Sequence, residues 1–191
     1  MTAPDGTYPA CTTWLILTYR LPGRPGETTA VRRRLAALGA VYPANAVAVL
    51  PASSAGERAF RRLRGRIRKA GGAAQVLRAE AIEGGEHLAA VFNEAREQEY
   101  GQVITGCAGL AAKVRAMTAA DQFGYAELGE MDAELNRLSL LCERIRARDL
   151  LSAANSGAAG SSLARCYALL DEFAQGVYQA EVIQVMGNGS E

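Results

Sequence analysis

The side chains with the most capacity for chemistry in this chain are its arginines. Arg32, Arg33 and Arg34 form a triplet, and Arg58, Arg61, Arg62, Arg64, Arg66, Arg68 and Lys69 crowd into one short stretch. Guanidinium groups gathered on one face of a small fold contact phosphates. Each contact releases counterions, so binding falls as salt rises. The same array also describes a solvated face, or one ion-paired with acidic helices elsewhere in the chain. The sequence leaves both readings open. It carries no helix-turn-helix pattern with a recognition helix, so base-specific readout is not implied.

A second constellation is sparser. His87 is the sole histidine; an imidazole can ligate haem axially or act as a general base, but it is also an ordinary helix-start residue. In the block FNEAREQEY, Arg96 and Tyr100 stand four residues apart, so a helix would put them on one face with Glu99 beside them. Tyr125 and Glu127 follow in FGYAEL. With His87, these residues would line a polar pocket between a sheet and the helices after it, suited to haem or another small-molecule ligand. They would equally serve as an ion pair and hydrogen bonds joining two halves of the chain. Cys11, Cys107, Cys142 and Cys166 are far apart, with no CxxC and no Cys-His spacing for zinc. Cys107 and Cys142 fall on apolar seams, as inert core thiols do. Gly23–Gly26 and Gly71-Gly72 lack the spacing of a phosphate-cradling loop.

The charge is divided along the chain. Residues 1–80 hold 13 Lys+Arg against 4 Asp+Glu, a balance of +9, and residues 81–191 hold 8 against 16, a balance of −8. The formal net charge of +1 therefore conceals two halves of opposite sign. With 191 residues, 49% of them apolar, the chain can bury a core without staples. The opening 1–13 lacks the basic start and apolar run of a signal peptide, and no segment approaches the roughly 20 apolar residues of a membrane span. A reduced, cytoplasmic setting is the expectation.

The elements that must position these residues follow from period and punctuation. The run TTWLILTYRL ends at Pro22-Gly23 and predicts a buried central strand. Glu27–Leu38 places Val31, Leu35 and Leu38 on one face and the Arg triplet in the gaps, with Gly39 as its stop. Ala40–Tyr42 and Val47–Leu50 suit a hairpin around Pro43–Ala46. Ser53 or Ser54 caps a helix through Phe60, Leu63 and Ile67 to Gly71-Gly72, and Ala73–Ala81 is the last strand. The order is β-α-β-β-α-β, the split βαβ arrangement of ferredoxin-like folds. From about Gly84 the period is helical. The first long helix is expected to loosen near Gly101, Gly106 and Gly109. The second carries the seam Leu128, Met131, Leu135, Leu138, Cys142, Ile145, and the third begins at Leu163 after a Gly/Ser-rich loop, Leu151–Ser162, the expected protease site. The fold class is therefore α+β: a basic ferredoxin-like unit over 1–82, an acidic three-helix segment over 83–186, and a tail at 187–191 expected to be disordered.

The stretch WLILTYRLPGRPGETTAVRRRLAALGAVYPANAVAVLPAS, continued by RRLRGRIRKAGGAAQVLRAEAI, resembles the N-terminal domain of the chromate-resistance regulator ChrB family. FNEAREQEY, FGYAEL, RARDLL and DEFAQGVYQAE are similar to the same family, so the resemblance covers most of the chain. More distantly, the first eighty residues resemble the ferredoxin-like module of the phenylacetate-degradation repressor and of small CRISPR-associated nucleases. The early strand here ends in Tyr19-Arg20, where those nucleases usually carry an acidic metal ligand. What the resemblance implies is a regulator-type domain. In this reading the basic half binds nucleic acid through Arg32, Arg33, Arg34, Arg58, Arg61, Arg62, Arg64, Arg68 and Lys69, and the helices make a homodimer or dock a partner. The competing reading is a haem- or small-molecule-binding protein, or an enzyme, with a pocket formed by His87, Arg96, Tyr100 and Tyr125. A third is a purely structural interaction module.

Overall fold

The computed structural model describes residues 13–22 and 25–188. The opening segment with Cys11, residues 23–24 of the loop after the first strand, and residues 189–191 of the expected tail lie outside them. The chain divides into two compact units: Met1–Arg96 with Arg148–Ala153, and Glu97–Ala147 with Ala154–Glu191.

The first unit contains β1 (Thr13–Arg20), α1 (Pro25–Ala37), β2 (Val41–Ala44), β3 (Val47–Pro51), α2 (Ser54–Lys69), β4 (Ala73–Glu80) and the opening turns of α3 (Gly85–Ala119). The element order β-α-β-β-α-β is the expected one. The strands lie in the order β2-β3-β1-β4, with every neighbouring pair antiparallel. Each of α1 and α2 thus joins two strands that have a third between them, which is the split βαβ pattern. The β-rich sequence of β1 fits its place between β3 and β4. Leu15 and Leu17 are buried on one face of the strand and Trp14 on the other, so the strand is covered on both sides. These residues belong to one apolar cluster with Val31 and Leu35 of α1, Phe60, Leu63 and Ile67 of α2, and Ala89 and Phe92 of α3. Pro43, which has no N–H to give to a ladder, sits in the edge strand β2, where the register with β3 shifts between Val41 and Ala44.

Both helices of this unit are bounded by local chemistry. Ser53 caps α2 by accepting from the Gly56 backbone N–H at 3.0 Å. Each helix then ends in paired reverse bonds: Ala40 N–H to Leu35 O with Gly39 N–H to Ala36 O, and Gly72 N–H to Ile67 O with Gly71 N–H to Arg68 O.

The second unit holds the rest of α3, α4 (Tyr125–Arg146) and α5 (Asn155–Asn188). Met131, Leu135, Leu138, Cys142 and Ile145 of α4 are buried, at the steps of four and three that the sequence shows. Two expectations are corrected here. The helix α3 is continuous across Gly101, Gly106 and Gly109. Gly106 is there because Leu138 packs against it: a Cβ at that position would lie 2.5 Å from Leu138 Cδ2. The Gly/Ser-rich segment is likewise helical from Asn155 onward, so only its first four residues connect α4 to α5. Its small residues mark close packing: Ala159 is fully buried, and a Cβ at Gly160 would meet Arg146 Nη2 at 2.6 Å. The helix also runs through Asn188, two residues into the expected tail. Among the described residues, no helix is long and apolar enough to cross a membrane.

Candidate nucleic-acid interface

The basic face is built by the period of α2. Gly56, Phe60, Leu63 and Ile67 recur at steps of four, three and four and turn one stripe of the helix into the core. Gly56 lets α2 lie close on the sheet, since a Cβ there would already touch Leu15 Cδ1 at 3.2 Å. Arg58, Arg61, Arg62, Arg64, Arg66, Arg68 and Lys69 occupy the other faces and are all exposed. Two grooves flank the helix, and four of these cations are divided between them.

On the β4 side, a groove of about 690 Å³ is lined by Arg61, Arg64 and Arg78 together with Leu15, Glu57, Gln75, Val76 and Leu77. Glu57 bridges two of the three guanidiniums, accepting from Arg61 at 2.6 Å through Oε1 and from Arg78 at 2.5 Å through Oε2. These hydrogen bonds, first from Arg78 and then from Arg61, hold the Glu57 carboxyl below its ordinary pKa. Arg64 Nε donates to the backbone oxygen of Ala74 at 3.3 Å, laying its side chain against β4.

On the α1 side, a groove of about 270 Å³ is lined by Arg34, Arg62 and Arg66 over Ala37, Leu38, Ala59 and Leu63. Among the described residues, no carboxylate lines it. Of the expected phosphate-contacting residues, Arg34 and Arg62 therefore meet in one groove and Arg61 and Arg64 in the other. Arg33, Arg58, Arg68 and Lys69 are exposed but line neither groove. Arg32 stands near Tyr42, whose phenol is pushed up by burial and by Tyr19, with Arg32 opposing the shift. Arg66 and Arg78 complete the two groups and were not among the expected contacts. Arg66 follows Arg62 by four residues in α2, and Arg78 lies two residues from Val76 on the same face of β4, so spacing and register together would have found them.

The residues of the pocket reading are divided between the two units. His87 is exposed in the first turn of α3, and Arg96 is buried in the first unit. Arg96 Nη1 donates to the backbone oxygen of Gly39 at 2.9 Å, and its guanidinium lies over the Phe92 ring, 5.1 Å from the centroid. Tyr100 is fully buried in the second unit, whereas Tyr125 is half-exposed there and donates its hydroxyl to Glu181. That bond, followed by burial, pushes the Tyr125 phenol up to about 12. Among the described residues, no group of three or more His, Cys, Asp or Glu is placed to hold a metal ion. Cys107, Cys142 and Cys166 are buried free thiols. Burial first, then the neighbouring Cys166 and Cys142, pushes the Cys107 thiol up to about 12.

No curated protein and no solved structure matches the chain. A family model does: the one described as Protein ChrB, N-terminal, matches residues 28–184, a span that takes in most of α1, all six groove-lining arginines and nearly all of the helical unit, and the chain belongs to that family.

Proposed function

We propose that this chain is a regulatory domain that binds nucleic acid through the arginine face of α1, α2 and β4. The observation that carries the reading is the convergence of six guanidiniums on two adjacent grooves whose lining, among the described residues, contains a single carboxylate, Glu57. A merely solvated or ion-paired face would disperse its cations or match them, whereas Arg34, Arg62 and Arg66 are clustered with no acidic residue among them. Phosphate contact of this kind gives affinity without base readout. The helical unit is the element for dimerisation or docking in this reading: Tyr125 and Tyr178 pack edge to face at 5.9 Å, and both remain about half-exposed, as does Val182.

The test is a gel-shift titration of the full chain with duplex and single-stranded DNA of unrelated sequences at two salt concentrations. Binding that varies little with sequence and weakens steeply with salt, by about 0.9 log units per log unit of salt for each phosphate contact on duplex, is the expected result. Absence of binding at low salt ends the reading. Light scattering of the purified chain and of its complex tests the dimer.

A further inference from the structure

The α1–α2 groove has a feature that phosphate contact does not call for. Its apolar lining is Ala37 and Leu38 at the end of α1 and Ala59 and Leu63 in α2; the buried Leu63 and the half-buried Leu38 and Ala59 form its floor, with the exposed Ala37 beside them. The cations form its rim: Arg34 from one helix, Arg62 and Arg66 one turn apart on the other, all three exposed. The α2–β4 groove is larger, and Glu57 already occupies two of its guanidiniums. We infer that the α1–α2 groove is a binding site for a small organic carboxylate with a flat or compact apolar body.

The chemistry selects this class of ligand. Guanidinium forks match a planar carboxylate in geometry and charge, and three of them around one opening supply that match from two helices. An apolar floor rewards a ligand that also has hydrocarbon to bury, which inorganic phosphate lacks and a nucleic-acid backbone offers only as the edges of its sugars. The volume, about 270 Å³, lies near the lower end of the range for small-molecule sites, so the body is of one- or two-ring size. An amphipathic acidic helix is a poorer occupant. Four apolar residues do not extend far enough to receive anchors spread over two helical turns. Because Arg34, Arg62 and Arg66 also belong to the proposed nucleic-acid face, a bound carboxylate would compete with phosphate there. That competition, but not the ligand site itself, rests on the proposed function.

The experiment is calorimetric titration of the full chain with three probes: 2-naphthoate, its uncharged counterpart 2-naphthamide, and inorganic phosphate. The site requires both features of the ligand, so 2-naphthoate should bind at least tenfold more tightly than either of the others. The exposed double substitution R62Q/R66Q, checked for an unchanged melting profile, should weaken 2-naphthoate at least tenfold. A59E, which puts a carboxylate over the floor, should do the same by an independent route. No binding of 2-naphthoate, phosphate binding as tightly, or affinity indifferent to both variants would each overturn the inference. Gel shifts of the same preparations separate the two proposals. DNA binding retained without 2-naphthoate binding removes the ligand site alone, and 2-naphthoate binding without DNA binding removes the nucleic-acid reading alone. If both hold, saturating 2-naphthoate should weaken DNA binding severalfold at low salt.

Discussion

Arg96 reaches the backbone carbonyl of Gly39 at 2.9 Å across 57 residues of sequence, tying the end of α1 to the opening of α3 within the first unit. Gly39 answers two demands at once. Its φ of 74° terminates α1, and a Cβ there would collide with Arg96 Nη1 and press on Arg148 Cδ at 3.0 Å. G39A should therefore cost about 2–4 kcal/mol, the sum of a left-handed backbone penalty and overpacking against a buried guanidinium. R96A, which takes the donor from a buried carbonyl, should cost about 2–3 kcal/mol. Denaturant midpoints of the two variants check this, and an unshifted midpoint for G39A would show that the contact is slack.

Gly39 was legible in the sequence only as a helix stop; its contact with Arg96 was not, because spacing says nothing about a partner 57 residues away. The sheet was readable because its signals are local: TWLILTYR, the Ser53 cap, and the glycines after α1 and α2 each declare an element boundary. In the helical half, glycine is a poor guide to breaks: α3 runs through Gly101 and Gly109, where a Cβ would meet nothing within 4 Å, as well as through the packed Gly106. Gly106 and Gly160 look like breakers in a window of sequence, yet both lie inside helices: Gly106 faces the buried Leu138, which leaves little room for a larger residue, and Gly160 faces only the end of the exposed Arg146 side chain. The same limit applies to the basic face. Periodicity identified exposed arginines but could not say that Arg78, on a strand, shares Glu57 with Arg61.

The glycines of α3 give a paired prediction with opposite signs. Gly109 has nothing within 4 Å of a hypothetical Cβ, so G109A should stabilise by up to about 1 kcal/mol through helix propensity and a less flexible unfolded chain. G106A gains the same propensity but must displace the buried Leu138, at a cost of about 1–3 kcal/mol, and should come out neutral to destabilising. Melting curves under one set of conditions decide it. Equal shifts for both would mean that α3 and α4 are not in close contact at that point.

The residues after α4 give a proteolytic prediction. Since α5 begins at Asn155 and buries Ala159, Ser162 and Leu163, the stretch from Asn155 onward should resist limited digestion, unlike a free Gly/Ser loop. Mass spectrometry of the first-formed fragments provides the readout. Early cleavage between Asn155 and Ser162 would return the segment to its loop reading.

Glu57 links stability, pH and binding. Its folded pKa lies below the ordinary 4.5, so its stabilising contribution is present above that value and is lost as pH falls through the depressed folded value. The melting temperatures of the wild type and E57Q should thus differ most near neutral pH and converge in acid. The difference should be small, because the bridge is solvent-accessible. At the same time E57Q frees Arg61 and Arg78, so nucleic-acid affinity at low salt should rise. A variant that bound more weakly would indicate that Glu57 positions the arginines for contact rather than occupying them.

The two grooves should contribute unequally to the salt dependence of binding. On the α1 side, Arg34, Arg62 and Arg66 meet no carboxylate among the described residues, so each can neutralise a phosphate directly. On the β4 side, a phosphate approaching Arg61 or Arg78 must displace Glu57, and Arg64 is partly committed to Ala74 O. Substituting the first trio by glutamine should therefore flatten the slope of log affinity against log salt by up to about 2.7 on duplex, while substituting Arg61, Arg64 and Arg78 should flatten it less. The asymmetry should shrink in an E57Q background, where the second trio is released, and this conditional effect separates specific phosphate contact from a uniform field of positive charge. Long-range attraction alone would make the two triple variants equivalent, since each removes three charges from neighbouring grooves. Melting temperatures measured alongside test the remaining alternative. A loss of stability on removing Arg61 and Arg78, with no change in either slope, would assign the face to ion pairing and withdraw the nucleic-acid function.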